Sequence, residues 1–207
     1  MKHLAAAVLL LAMAAPAGAQ MSSDALIARM SANMNGVKTY TATVHTDASV
    51  HAFLTLNPSM DGTYYHKEPD QNKVVYTSGM PIVAQQFSKL YPHIDSASVW
   101  KEKYTISVES SANGQTTFKL VPRKQGRVDH IDAKVDDRTA ELLSLRWNYS
   151  DGGYASTDLT YTNVQGHELI SGQTGKVDVP HYSAEFSSKF SDFKLNVAIP
   201  DSVFAEN

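Results

Sequence analysis

The chain is predicted to be mostly β, a single curled antiparallel sheet forming a half-open barrel, with two or so short helices covering its open side. Three observations predict this. Most segments after residue 39 alternate apolar with polar residues, the pattern of strands with one wet face. Roughly ten such segments laid flat would span ~48 Å at ~4.8 Å per strand. Only two helical segments accompany them, each ~18 Å long. They cannot cover such a face, so the sheet must curl with its apolar side inward.

The first residues are read as a targeting segment. Met1-Lys2-His3 is a basic start, residues 4–15 are an apolar run, and Ala17-Gly18-Ala19 offers small residues for cleavage. This is the pattern of a secretory signal peptide over residues 1–19, leaving one domain over 20–207. The run falls short of the ~20 residues that a membrane helix needs, and no later stretch supplies one. With no Cys, lipid anchoring at a cleavage-site Cys, disulfides, and Cys-based zinc sites are excluded. A formal net charge of −3 without a basic cluster argues against nucleic acid.

A helix comes first. Ser22-Ser23-Asp24 supplies an N-cap, Ala25, Ile27, Met30 and Met34 share a face, and Asn35-Gly36 stops it. Strands follow at Tyr40, Ala42 and Val44, then at Val50, Ala52, Leu54 and Leu56 before Asn57-Pro58. After Asp61, Gly62-Thr63-Tyr64-Tyr65-His66-Lys67 reads as a strand that Glu68-Pro69-Asp70 breaks, since Pro cannot donate to a ladder. Lys73-Val74-Val75-Tyr76 resumes it. From Pro81 the period becomes helical, with Val83, Phe87 and Leu90 on one stripe until Tyr91-Pro92.

Hairpins fill the second half. Tyr104, Ile106 and Val108 alternate with polar residues, and Asn113-Gly114 is a tight-turn signal. Phe118 and Leu120 return on the next strand, and Ile131, Ala133 and Val135 make another. The clearest strand places Leu143, Leu145, Trp147 and Tyr149 on one face. Asp151-Gly152-Gly153 turns it into Ala155, Thr157, Leu159 and Tyr161. Separate weaker strands are expected at Leu169-Ile170, at Val177-Val179, around Tyr182, Ala184 and Phe186, and from Phe193 to Ile199.

This order of elements resembles the outer-membrane lipoprotein carrier (LolA-like) superfamily and its periplasmic lipoprotein-sorting relatives. The resemblance rests on one helix before a run of strands, Gly62-x-Tyr64-Tyr65-x-Lys67-x-Pro69, a helix after Ser78-Gly79, Asp151-Gly152 before an alternating strand, and Asn196-x-x-Ile199-Pro200. It implies a periplasmic carrier whose half-open barrel holds the acyl chain of a lipid or lipoprotein, without a cofactor, and which meets the envelope's lipoprotein-sorting machinery. The chain departs from the lipoprotein chaperones in two places. Glu68 stands where they carry Arg before the Pro, and their Trp after the Ser-x-Gly turn is missing.

The residues expected to line the cavity are Leu54, Leu56, Tyr65, Val75, Val83, Phe87, Leu90, Ile106, Phe118, Leu145, Trp147 and Tyr149. The helix over 81–91 is expected to act as a lid. The alternative is that these residues form an ordinary solid core, as in an interaction or envelope-sensing module without lipid. An envelope hydrolase or metal-binding protein is a further alternative. Against an enzyme, the chain has no Gly-x-Ser-x-Gly elbow, His-Glu-x-x-His or phosphate-binding Gly loop. Asp129, His130, Asp132, Asp136 and Asp137 put carboxylates near a His, but strand alternation sends Asp129 and His130 to opposite faces. His45 and His51 share a polar face and would meet only across a hairpin.

The signal-peptide reading predicts that the exported protein begins at or near Gln20. N-terminal sequencing of the mature chain checks this, and an intact Met1 on most molecules would refute it.

Overall fold

Tyr40, Ala42, Val44, Thr46, Ala48 and Val50 all point to one side of a single 13-residue strand, β1 (Thr39–His51), and all are buried. A computed structural model describes residues 22–52, 54–77 and 93–205. In chain order, α1 (Ser23–Ala32) precedes β1, β2 (Thr55–Leu56), β3 (Ser59–Lys67) and β4 (Gln71–Tyr76). A 3-10 turn (Ala97–Val99) then leads into α2 (Trp100–Lys103), β5 (Tyr104–Ala112), β6 (Gln115–Pro122), β7 (Val128–Asp136) and β8 (Leu142–Tyr149). The chain continues through β9 (Tyr154–Val164), β10 (His167–Val179) and β11 (Tyr182–Leu195), and a last 3-10 turn spans Asp201–Val203.

All strands belong to one antiparallel sheet of order β4-β3-β1-β11-β10-β9-β8-β7-β6-β5, with β2 paired to β1. β4 and β5 stand at its two edges, so the sheet is curled but not closed into a barrel. This is the fold class predicted, with two short α-helices among the described residues. None of the described helices is long and apolar enough to cross a membrane. The predicted helix over 81–91 and the signal segment lie outside the described residues.

Cross-strand pairing aligns the inward residues in rows. One row runs Val50, Ala184, Val177, Ala155, Trp147, Ile131, Leu120 and Ile106. The next runs Ala48, Phe186, Gly175, Thr157, Leu145, Ala133 and Phe118. Short hairpins hold these rows in register. Asn113 and Gly114 both have positive φ, 56° and 73°, as a two-residue turn matching the strand twist requires.

Several elements differ from the sequence reading. The segments around Tyr40 and Val50 are one strand, as are those around Leu169 and Val177, and those around Ala184 and Phe193. Each was divided at an inward-facing polar residue, Thr46, Gln173 or Ser188, which interrupts the apolar alternation. The α1 stripe is Leu26, Ile27 and Met30, with Ala25 exposed. A bulge between Lys134 and Val135 pairs Val135 with Leu142, so Leu142 is buried while Leu143 is only half-buried.

α1 seals one half of the concave face. Ser22 accepts from the Ala25 amide at 3.3 Å and Asn33 caps the far end. Arg29 donates to the Arg138 carbonyl at 2.7 Å, and Asn33 to the Ala140 carbonyl at 3.1 Å. Leu26, Ile27 and Met30 pack with Trp100, Phe118, Leu145 and Trp147 in the main core. Trp100 is 1% exposed and meets Phe118 edge-on at 6.2 Å. Its indole N–H donates to the Asp95 carbonyl at 3.1 Å. Lys67 Nζ pairs with Asp201 at 2.5 Å, a surface contact that contributes little.

Trp147→Ala should therefore lower unfolding stability by ~3–5 kcal/mol in a urea titration. Iodide should quench neither Trp100 nor Trp147 in the native state. A change of a few tenths, or ready quenching of either, would show that the packed half is not sealed.

Candidate functional site

The concave face has two unlike halves. Against β5–β9 the helices and Trp100 fill the space. Against β1, β3, β4, β10 and β11 a cavity of about 650 Å³ remains, within the ~300–1,000 Å³ typical of ligand pockets. Val44, Ala48, Val50 and Met60 wall it from β1 and β3, and Phe186 and Phe190 from β11. Met30, Met34, Ile94 and Trp100 meet it from the helical side.

The volume depends on small residues. The Phe186 ring lies over Gly175, where an added Cβ would fall 2.3 Å from a ring carbon. Gly175 thus lets Phe186 lie back against β10. From Tyr40 to Val50 the lining follows β1 for roughly 33 Å at ~3.3 Å per residue.

Its interior carries a polar belt and a polar end. Thr46 and Ser188 are buried and share a hydroxyl hydrogen bond of 2.8 Å, with Gln173 paired beside Ser188. The polar end is built by β3 and β4. Tyr64 donates to Asn72 Oδ1 at 2.6 Å, and His66 Nδ1 meets the same oxygen at 2.7 Å. Asn72 Nδ2 meets His93 Nε2 at 2.7 Å. Tyr40 stacks on His66 at 4.8 Å. Burial pushes the Tyr40 hydroxyl up to about 12 and the Tyr64 hydroxyl well above its ordinary value. It pushes the His66 imidazole down, against the hydrogen bond to Asn72 Oδ1 and the nearby carboxylates.

A charged cluster braces the adjoining rim. Lys103 Nζ lies 2.5 Å from both Asp70 Oδ2 and Asp95 Oδ1. The Ser96 amide donates to Asp70 at 2.9 Å, and the Tyr104 hydroxyl donates to Asp95. Asp70, His93 and Asp95 each place one donor atom within 4.8 Å of the others, a spacing a cation would accept. The Lys103 ammonium already supplies the positive charge there.

The residues anticipated from sequence are dispersed. Phe118, Leu145, Trp147 and Tyr149 are buried, and Ile106 is half-buried against them, in the filled half. Leu54, Leu56 and Val75 are exposed at 59%, 38% and 44%. Tyr65 pairs with Lys73 on the outward face, whereas its neighbour Tyr64 lines the cavity, as Val74 does beside Val75. The face is thus shifted by one residue in β3 and β4. Val83, Phe87 and Leu90 lie outside the described residues. Missed from sequence were Tyr64, His66 and Asn72, although i, i+2 spacing to Gly62 marked Tyr64 and His66 as one face.

Neither histidine site forms as anticipated. His45 Nδ1 meets Asp61 at 2.7 Å, while His51 meets Ser49 and Thr55, six residues along the same strand. Asp129 and His130 do come together, at 2.6 Å, because the β7–β8 register shifts between Val128 and His130. Simple alternation failed there.

No protein-family model and no curated protein matches the sequence. Solved structures do match the fold. A LolA superfamily protein from Nitrosomonas europaea aligns at TM-score 0.61 and 11% identity, over 90% of this chain and 98% of that one. A domain described as an outer membrane lipoprotein-sorting protein, from Vibrio parahaemolyticus, aligns at 0.60 and 13%, over 86% and 94%. A DUF1329 family protein from Desulfovibrio piger aligns at 0.54 and 12%, over 87% and 94%. The chain has the LolA-like fold that its order of elements resembled.

Burial raises the Asp95 carboxyl, but the Lys103 ammonium and the Tyr104 hydroxyl outweigh it, and the net shift is downward. A lowered carboxyl stabilises the fold above the ordinary carboxylate range, and that stability is lost as pH falls through the lowered value. Lys103→Met should leave Asp95 buried without its cation, so acid unfolding followed by circular dichroism should begin at higher pH. An unchanged acid midpoint would show that the cluster does not brace the rim.

Proposed function

We propose that the protein is an exported carrier that holds the acyl chain of a lipid, or of a lipid-modified protein, in the cell envelope. The observation that carries this reading is the elongated apolar cavity of about 650 Å³ beside a separately packed core. A solid core would fill that space, which no described side chain does. The reading is of a binding protein without a catalytic step. The lipoprotein-sorting description of one structural neighbour supports envelope cargo of this kind, carried between partners of the lipoprotein-sorting class.

The energetics fit a reversible carrier. A sixteen-carbon chain contributes about 12 kcal/mol at ~0.8 per CH₂. Association costs of ~4 kcal/mol or more reduce this, to ~8 kcal/mol at most, which corresponds to micromolar affinity. No charged anchor is required. Glu68 fits this, since its amide donates to the Lys38 carbonyl at 2.9 Å and its side chain is exposed.

The test is binding of an uncharged, environment-sensitive naphthylamine reporter to delipidated protein, and its displacement by single-chain lipids. Ala48→Phe adds a ring on the cavity wall and should weaken reporter binding about tenfold or more while the native circular dichroism is kept. Absence of reporter binding to wild type would overturn the acyl reading. Unchanged binding in a folded Ala48→Phe protein would move the site away from this cavity.

A further inference from the structure

We infer that the His66 end of the cavity selects a head group that donates a hydrogen bond, so the favoured ligand is an uncharged single-chain ester of a polyol rather than a free fatty acid. This deepens the acyl-chain reading and rests on it.

The argument is a count of donors and acceptors. Asn72 Oδ1 accepts from the Tyr64 hydroxyl, and Asn72 Nδ2 faces the Asp70 carbonyl at 3.5 Å. Those contacts fix which way the amide points. His66 Nδ1, 2.7 Å from that same oxygen, must then carry a proton and donate it. The remaining ring nitrogen, Nε2, is left as a lone-pair acceptor with no partner among the described residues. His66 is 8% exposed and lines the cavity. An acceptor that a ligand covers without pairing is costly, so a ligand that donates to it gains more than one that does not. Burial lowers the imidazole's proton affinity, which keeps the ring neutral and Nε2 an acceptor at neutral pH.

The surrounding charge points the same way. Asp95, Glu141 and Glu168 line the cavity, and Glu68 and Asp70 act on His66 from the β3–β4 turn. Two cations stand nearby among the described residues. Lys103 sits between Asp70 and Asp95, and Lys73 also lines the cavity but its Nζ donates to the Ala205 carbonyl at 2.8 Å. A carboxylate head would enter an acidic environment and meet a lone pair. A hydroxyl would meet an acceptor without cost in charge. A cavity of about 650 Å³ suits a single-tailed ligand.

Competition against the naphthylamine reporter tests this with three ligands of equal chain length: monolauroylglycerol, methyl laurate and laurate. For wild type at neutral pH, monolauroylglycerol should displace the reporter at about tenfold lower concentration than the other two, the worth of one hydrogen bond. In His66→Phe, which keeps an aromatic ring against Tyr40, that advantage should fall to about threefold or less. Methyl laurate should displace the reporter from wild type and variant alike. Equal loss of both esters in His66→Phe would make His66 a packing residue only and overturn the inference. So would laurate binding as tightly as the monoester in wild type, or the monoester's advantage persisting in the variant. Failure of all three to displace bound reporter would instead sink the acyl reading itself.

Discussion

Trp100 divides the concave face of the sheet. Among the described residues, one α-helix and a single further turn face more apolar sheet surface than they can cover. α1 and Trp100 fill the space in front of β5–β9, and no described side chain fills the rest. The indole reaches Phe118 at one edge and the Asp95 carbonyl at the other. That contact fixes the segment that carries His93, Asp95 and Lys103. The rim of the cavity is therefore set by packing in the half that has none. Removing the indole would disturb both halves, because one side chain holds the filled core and orients the charged cluster.

The filled half was legible in the sequence because it obeys alternation. Phe118, Leu120, Ile131, Ala133, Leu145 and Trp147 read as inward-facing and are buried, although Phe118, Leu145 and Trp147 were expected to line a cavity and instead fill the core. The cavity half was less legible, because its inward face is not uniformly apolar. Thr46, Ser188 and Gln173 lie on inward rows, and each ended a predicted strand early. A packed core holds such a residue where it finds a backbone partner, as Thr157 does at the Thr174 carbonyl, whereas a chamber wall tolerates a row of them. The breaks in alternation were thus the sequence's mark of the cavity, although they read as strand ends. Gly175 adds a second mark, since a Gly in a strand interior leaves room that Phe186 fills from the next strand.

The face error in β3 and β4 has a different origin. Tyr64 and Tyr65 offer an aromatic side chain to each face, as Val74 and Val75 offer a β-branched one. Local pattern cannot choose between them. Pairing decides: Gly62 lies opposite Val44 and Tyr64 opposite Ala42, both buried on the inner face of β1. A chain that encloses ligand between an edge hairpin and a central strand needs this kind of non-local information. His45, His51, Asp129 and His130 teach the same lesson on the outer surface, where one long strand separates the first pair and one bulge joins the second.

The fold alone does not determine cargo, because neighbours share it at only 11–13% identity. The chemistry at the end of this chain's cavity bears on cargo more directly. Asn72 spends its amide on Tyr64, His66 and His93 together, which orients all three rings without any charge. The two carboxylates nearest that network, Asp70 and Asp95, share the single cation Lys103. Selection by such a site rests on hydrogen-bond direction, not on ion pairing. Hydrogen bonds formed inside a low-dielectric wall are less screened by salt than surface ion pairs. The affinity of a head group held this way would change little with ionic strength, whereas a carrier relying on an Arg contact at the position of Glu68 would weaken as salt rises.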